Sequence, residues 1–262
     1  MKLVKALALA AVVGLVSCVP ARSFYKAPQS DQSRKSVVIT QEKIKALYGG
    51  SAKYTVKEKI VLIDSNGKIT EYFNPLWSGS AFCIGVKKSP SGVDYSIWVT
   101  CRHVADISEL GTRLGFAEID YIDKNGKFNW AKVEGVVLSK TRDIAVFTSL
   151  AIPRTVFELA SDSELSRLEL GDMLLAVGHP SGIYPPGLTL GSFLWESSQG
   201  YQFTVTATYG SSGSALIDAQ TMKVIGVIYK FAGAKNRNGS YRSDDLVAVP
   251  VYELKQLLAS IR

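Results

Sequence analysis

Residues 208–218 read TYGSSGSALID, with three serines and two glycines in the five positions 210–214 and an apolar run immediately after. Glycine–serine clusters ordinarily form turns, so a nucleophile here has to be supported by the rest of the chain. A serine hydroxyl attacks a carbonyl only when a base takes its proton and a third group orients that base. The chain contains two histidines, so the search is short. His103 lies in WVTCRHVAD (98–106), directly after an apolar run, and His179 lies in AVGHPSG (176–182), ahead of a proline turn. The aspartate candidate is Asp143 in KTRDIAVF (140–147), which opens another apolar run. Asp106 is the poorer choice, because it stands three residues past His103 with no strand pattern after it.

Chain order narrows the chemistry. An α/β-hydrolase places its nucleophile before its acid and base, but no histidine follows Ser212, and GSSGS departs from the G-x-S-x-G elbow at its last position. His103, Asp143 and Ser212 instead follow the His…Asp…Ser order of the chymotrypsin-type triad.

The surrounding runs agree with an all-β chain. Short β-branched and aromatic segments, among them YTVKEKIVLI, SAFCIGV, YSIWVTC, FNWAKVEGVVL, LTLGSFLW and VIGVIYKF, are separated by turn residues. Asn66-Gly67 and Asn125-Gly126 suit two-residue hairpin turns in which both central residues take positive φ. About a dozen short strands without intervening helices predict an antiparallel barrel or sandwich. Two helices are expected, a short one at Gln41–Tyr48 and a closing one in VYELKQLLASI (251–261), with Val251, Leu254, Leu257, Leu258 and Ile261 on one stripe.

WVTCRHVAD, RDIAVFTSL, LELGDMLLAVGHPSG, LTLGSFLW, GSSGSALIDAQTMKVIGVI and DLVAVPVYELKQLL, in that order, resemble the protease domain of trypsin-like serine proteases, closest to the HtrA/Deg branch. The resemblance spans about residues 77–262. It implies two antiparallel six-stranded β-barrels with a C-terminal α-helix, and a serine endopeptidase acting on protein or peptide substrates. It makes Ser212 the nucleophile, His103 the general base and then acid, and Asp143 the acceptor that holds the imidazole. The N–H groups of Gly210 and Ser212 become the oxyanion hole, and Thr206, Tyr209, Tyr229 and Phe231 the substrate pocket, with Thr206 near its floor. His179 falls in a structural loop.

Two departures bear on regulation and specificity. Ser211 stands where zymogen-activated relatives carry aspartate, so activation by burying a new N-terminal ammonium is not expected. Only twelve residues follow Pro250, so the PDZ domain usual in the HtrA group is expected to be absent. No acidic residue lies among the pocket positions, which predicts preference for a small or apolar residue before the scissile bond. The alternative is a catalytically inactive protease-fold protein that binds peptides in the cleft between the barrels.

Composition sets the outer bounds. At 262 residues with 47% hydrophobic and 20% charged content, the chain has the make-up of a globular protein. Lys2 and Lys5 precede the apolar run Ala6–Val16, which is too short for a membrane span but suits a secretory signal. Its end, Leu15-Val16-Ser17-Cys18, resembles a bacterial lipobox, which would make Cys18 a lipidated residue; the alternative is an ordinary signal cut after about Ala21. The expected organisation is a signal at 1–18, a flexible tether with a short helix at 19–53, and a protease domain at 54–262 with its barrel junction at about 150–168. The protein is then exported to the cell envelope and held at the membrane by its lipid. The scattered cysteines and histidines give no metal-ligand spacing, so neither metal nor cofactor is expected. No zinc-finger or basic recognition pattern points to nucleic acid. Cys83 and Cys101 are expected as reduced, buried thiols, the alternative being a disulfide between them, which their spacing leaves open.

Overall fold

The computed structural model describes residues 37–111, 114–183, 185–231 and 245–261, without the side chains of Glu109, Lys230, Phe231 and Asp245. The expected signal ending at Cys18 and the expected tether up to residue 36 lie outside the described residues, as do residues 232–244. Among the described residues no helix is long and apolar enough to cross a bilayer.

Helix α1 (Gln41–Gly50) is capped by the Thr40 hydroxyl, which accepts from the Lys43 N–H at 3.3 Å. It leads directly into β1 (Ser51–Ile63), so strand structure begins three residues before the expected boundary at Tyr54. Ser51, Ala52 and Lys53 pair there with Phe82, Ala81 and Ser80, because ladder hydrogen bonds do not depend on side-chain propensity. The first sheet continues with β2 (Ile69–Lys88), β3 (Asp94–Thr100), β4 (Gly115–Ile122), β5 (Phe128–Lys132), β6 (Glu134–Leu138) and β7 (Ala145–Ser149). A four-residue helix, α2 (Arg102–Ala105), follows β3.

The strand order β5-β4-β1-β2-β3-β7-β6 puts β5 and β6 at opposite ends of the sheet, yet only Val133 separates them in the chain. The sheet must therefore curl until its two ends meet. Counting that bent pair as one strand shared by both ends recovers the six expected of a barrel. FNWAKVEGVVL thus breaks at Val133, whose N–H still donates to Ala117 O at 2.9 Å. Conversely, SAFCIGV is no separate strand but the C-terminal part of β2, which runs unbroken from Ile69. Pro75 sits beside an irregularity in the β1 register, where a missing N–H is tolerated.

The connection from Leu150 to Asp172 carries α3 (Asp162–Leu165), with a reciprocal capping box between Ser161 and Glu164. Beyond it, β8 (Met173–Gly178), β9 (Gly187–Ser197), β10 (Gly200–Val205), β11 (Ala215–Asp218), β12 (Val224–Phe231) and β13 (Asp245–Pro250) close a six-stranded barrel in the order β10-β13-β12-β11-β8-β9. Helix α4 (Val251–Ser260) follows at once and buries Val251 and Leu254, whereas Ile261, expected on the same stripe, is exposed.

Aromatic and aliphatic side chains dominate both interiors. In the first, Trp98 stacks on Phe147 at 6.3 Å and Tyr54 meets Phe147 edge-on at 5.2 Å. In the second, Phe203, Leu174, Leu175, Leu216, Ile217 and Ile225 are fully buried. Each such side chain contributes about 1.5–3 kcal/mol of transfer free energy.

The hairpin turns differ from the two-residue type expected. At Asp64–Lys68 and Asp123–Lys127 only Gly67 (φ +77) and Gly126 (φ +79) are left-handed. In both turns the aspartate side chain accepts two backbone N–H groups at 2.9 Å. The aspartate thus caps a longer turn and relieves the asparagine of positive φ, as an Asx turn does.

Candidate active site

His103 sits in α2 immediately after β3. The N–H groups of Val104 and Ala105 donate to Cys101 O, and the Trp77 indole donates to Val104 O at 2.9 Å, which fixes both ends of this short turn. Asp143 lies in the β6–β7 loop. Ser139 folds that loop by accepting the Arg142 N–H on its hydroxyl at 3.2 Å and by donating its own N–H to Ile144 O at 2.9 Å. Arg142 then reaches α4, where its Nε and Nη2 lie 2.9 and 2.8 Å from Glu253 Oε1.

The two loops meet through one carboxylate. Asp143 Oδ1 accepts the His103 backbone N–H at 2.9 Å, and Oδ2 lies 2.6 Å from the ring Nδ1. Burial works against the Asp143 charge, but the hydrogen bonds from the His103 ring and backbone outweigh it and hold the carboxyl below its ordinary pKa. An ionised carboxylate can only accept, so Nδ1 carries a proton, and in the neutral imidazole the lone pair is on Nε2. The ring itself is half-exposed.

Ser212 lies in the turn before β11. Its carbonyl accepts the Ser80 N–H at 2.7 Å, and a Cβ on Gly79 would meet that carbonyl at 2.9 Å and the Val104 side chain at 2.7 Å. The Ile228 carbonyl accepts both the Gly213 N–H at 2.8 Å and the Cys101 thiol at 3.1 Å. The segments bearing Ser212 and His103 are therefore held by common partners. Among the described residues no hydrogen bond joins the Ser212 hydroxyl to the imidazole. Gly210 has φ +89, and a Cβ there would meet His179 O at 2.6 Å and Gly182 N at 2.8 Å, so only glycine fits without moving backbone. Neither the Gly210 nor the Ser212 N–H donates to another described residue, which leaves a pair of donors beside the serine. The Ser211 hydroxyl is turned inward, where it accepts the Thr208 N–H at 3.2 Å.

The pocket positions divide. Thr206 lines a cavity of about 20 Å³ with Ala207, Gly178, Ser211, Ser214 and Ile228 among its walls. Tyr209 is 86% exposed and turned to solvent, and the Tyr229 hydroxyl donates to Gln199 O at 3.0 Å; neither lines that cavity. The Phe231 side chain lies outside those described. Ala207 and Ile228 fall within the segments 206–209 and 227–231 that the resemblance gives to the pocket, whereas Ser214 was missed because a wall assembled from distant segments leaves no local pattern.

Cys83 and Cys101 are both free and buried. Burial pushes the Cys83 thiol up to about 12 and the Cys101 thiol well above its ordinary value. Folding does bring Cys101, His103 and Asp143 ligand atoms within 4.8 Å, a juxtaposition invisible in their spacing. Imidazole and carboxylate are there bonded to one another, and the thiol donates to Ile228 O.

His179 is fully buried at the end of β8 and its ring Nδ1 lies 3.0 Å from Ile183 O, which can only accept. Burial pushes its pKa from 6.5 down to about 4. A proton is therefore bound more readily by the unfolded chain, so stability is complete above about pH 6.5 and falls as pH drops toward 4. The displacement corresponds to about 3 kcal/mol. Chemical denaturation at pH 7 and pH 4 should show this loss, and His179→Gln should reduce it by about that amount; an unchanged difference would refute the assignment.

The family described as trypsin-like peptidase domain matches residues 79–227, more than half of the chain. The chain belongs to that family. Among solved structures, the crystal structure of Deg5 superposes with a TM-score of 0.54 at 17% identity, covering 83% of this chain and 94% of that one. The shared architecture is the two-barrel, chymotrypsin-like fold. No curated protein matches by sequence. The trypsin-like peptidase family acts on proteins, which makes polypeptide the substrate class.

Proposed function

We propose that this trypsin-like peptidase is an active serine endopeptidase that works through an acyl-enzyme on Ser212. The observation that carries the reading is the two-point clamp of Asp143 on His103, set against the Ser212 turn with two N–H donors beside it. His103 Nε2 takes the Ser212 proton as Oγ attacks the scissile carbonyl. The developing oxyanion meets the Gly210 and Ser212 N–H groups. Collapse breaks the C–N bond and the amine leaves with the proton from His103. Water, deprotonated by His103, then adds to the ester carbonyl, the C–Oγ bond breaks, Ser212 recovers its proton from His103 and the carboxylic acid product departs. The leader Ala6–Val16 and the Leu-Val-Ser-Cys that ends at Cys18 support export and a lipid anchor.

One labelling experiment addresses both parts. A fluorophosphonate probe applied to cells expressing the whole chain should modify Ser212, and the labelled protein should sediment with membranes. Label recovered in the soluble fraction would remove the anchor alone. Folded protein never labelled at Ser212 would remove the protease and leave peptide binding in the cleft.

The cavity beside Thr206 supports a narrow substrate range. About 20 Å³ accommodates little more than one water or a methyl group, and among the described residues no carboxylate lines it. Peptide-library profiling should show cleavage after alanine or another small residue, with arginine and phenylalanine disfavoured by at least about tenfold, the effect of roughly 1.4 kcal/mol in a mismatched pocket. Preferred cleavage after arginine would overturn this.

A further inference from the structure

Ser80 is the residue through which the first sheet grips the serine turn, and no sequence motif singles it out. It lies in β2 with no exposed surface. Its N–H donates to Ser212 O, and its carbonyl accepts the Thr100 hydroxyl, both at 2.7 Å. Its own hydroxyl donates to Gly210 O at 2.7 Å and accepts the His179 N–H at 2.7 Å. Resting on the protease reading, we infer that Ser80 is a positioning residue for the oxyanion hole: its hydroxyl holds the Gly210 peptide so that the flanking N–H groups face the reacting carbonyl.

A peptide group is planar and trans, so anchoring its carbonyl also sets its N–H, which points the opposite way. The Tyr209–Gly210 peptide is anchored through Tyr209 O, which accepts the Ser181 N–H. The Gly210–Ser211 peptide is anchored through Gly210 O by Ser80 and through the Ser211 N–H, which donates to Thr208 O at 3.1 Å. Gly210 lies between these planes, and glycine alone offers little resistance to rotation. Rotation would replace a donor by a carbonyl oxygen facing the substrate. The Ser80 hydroxyl resists this from the opposite sheet, and by accepting from His179 it also ties down the 179–183 loop that supplies the Ser181 N–H. Ser80 contacts neither the His103 ring nor the Asp143 carboxylate, so it acts on the oxyanion side only.

The test compares the whole protein with Ser80→Ala on a good peptide substrate and with a peptide aldehyde, whose tetrahedral adduct places an oxygen in the same hole. The variant should lose about 10- to 100-fold in kcat, less than outright removal of a donor. KM should be nearly unchanged, aldehyde affinity should fall in parallel with kcat, and the pH profile of kcat/KM should keep its shape. Wild-type kcat, a rise in KM alone, or aldehyde affinity that does not follow kcat would overturn the inference. If Ser80→Ala does not melt cooperatively, Ser80→Cys decides: its weaker donor should lower kcat several-fold in a folded protein, and wild-type kcat there would overturn it. Wild-type protein unlabelled at Ser212 would sink the protease reading itself, a failure separable from that of Ser80.

Discussion

Ser212→Ala should fold, melt within a few degrees of the wild type, and hydrolyse peptides about 10⁵- to 10⁶-fold more slowly. The turn carrying Ser212 is held by backbone contacts, Ser212 O with the Ser80 N–H and the Gly213 N–H with Ile228 O, and deletion of one hydroxyl disturbs neither. His103→Ala should cost about as much. The double variant should cost little more than either alone, because nucleophile and base act as one unit. Initial rates on a chromogenic peptide, with Ser211→Ala and Ser214→Ala as controls, provide the measurement. Retained activity in Ser212→Ala, with loss in a control, would mean that the nucleophile has been misassigned.

Gly210→Ala should lower kcat by about 10²- to 10³-fold, the cost of one oxyanion donor, while barely changing KM. The added methyl would lie 2.6 Å from His179 O and 2.8 Å from Gly182 N, both backbone atoms, and φ +89 is unfavourable for alanine in any case. The turn must shift, and the Gly210 N–H turns with it. Steady-state kinetics beside a thermal melt separate this from unfolding. A variant with wild-type kcat would show that the hole is built from other donors.

Much of this was legible before folding. His103 and Asp143 each adjoin a long apolar run, so strand periodicity placed both at sheet ends. The β5–β6 bend was not legible, because Val133 is as apolar as its neighbours and only strand pairing reveals that the chain changes edge there. The Asn-Gly turns were misread because Asp64 and Asp123, three residues before each glycine, compete for the same backbone N–H groups. Tyr209 was given to the pocket from its place in the chain, but its backbone is turned by Ser181 and its ring points outward. Ser80 carried almost no signal. A serine opening an apolar strand looks like an ordinary boundary residue until the opposite barrel supplies its partners.

The closed ring formed by β8–β13 bears on the company such an enzyme keeps. Unfolded polypeptides present sticky extended segments that recruit any free strand margin and grow into insoluble assemblies. A ring has no margin to extend. The half of the molecule that carries Ser212 thus offers an extended polypeptide no open strand on which to add.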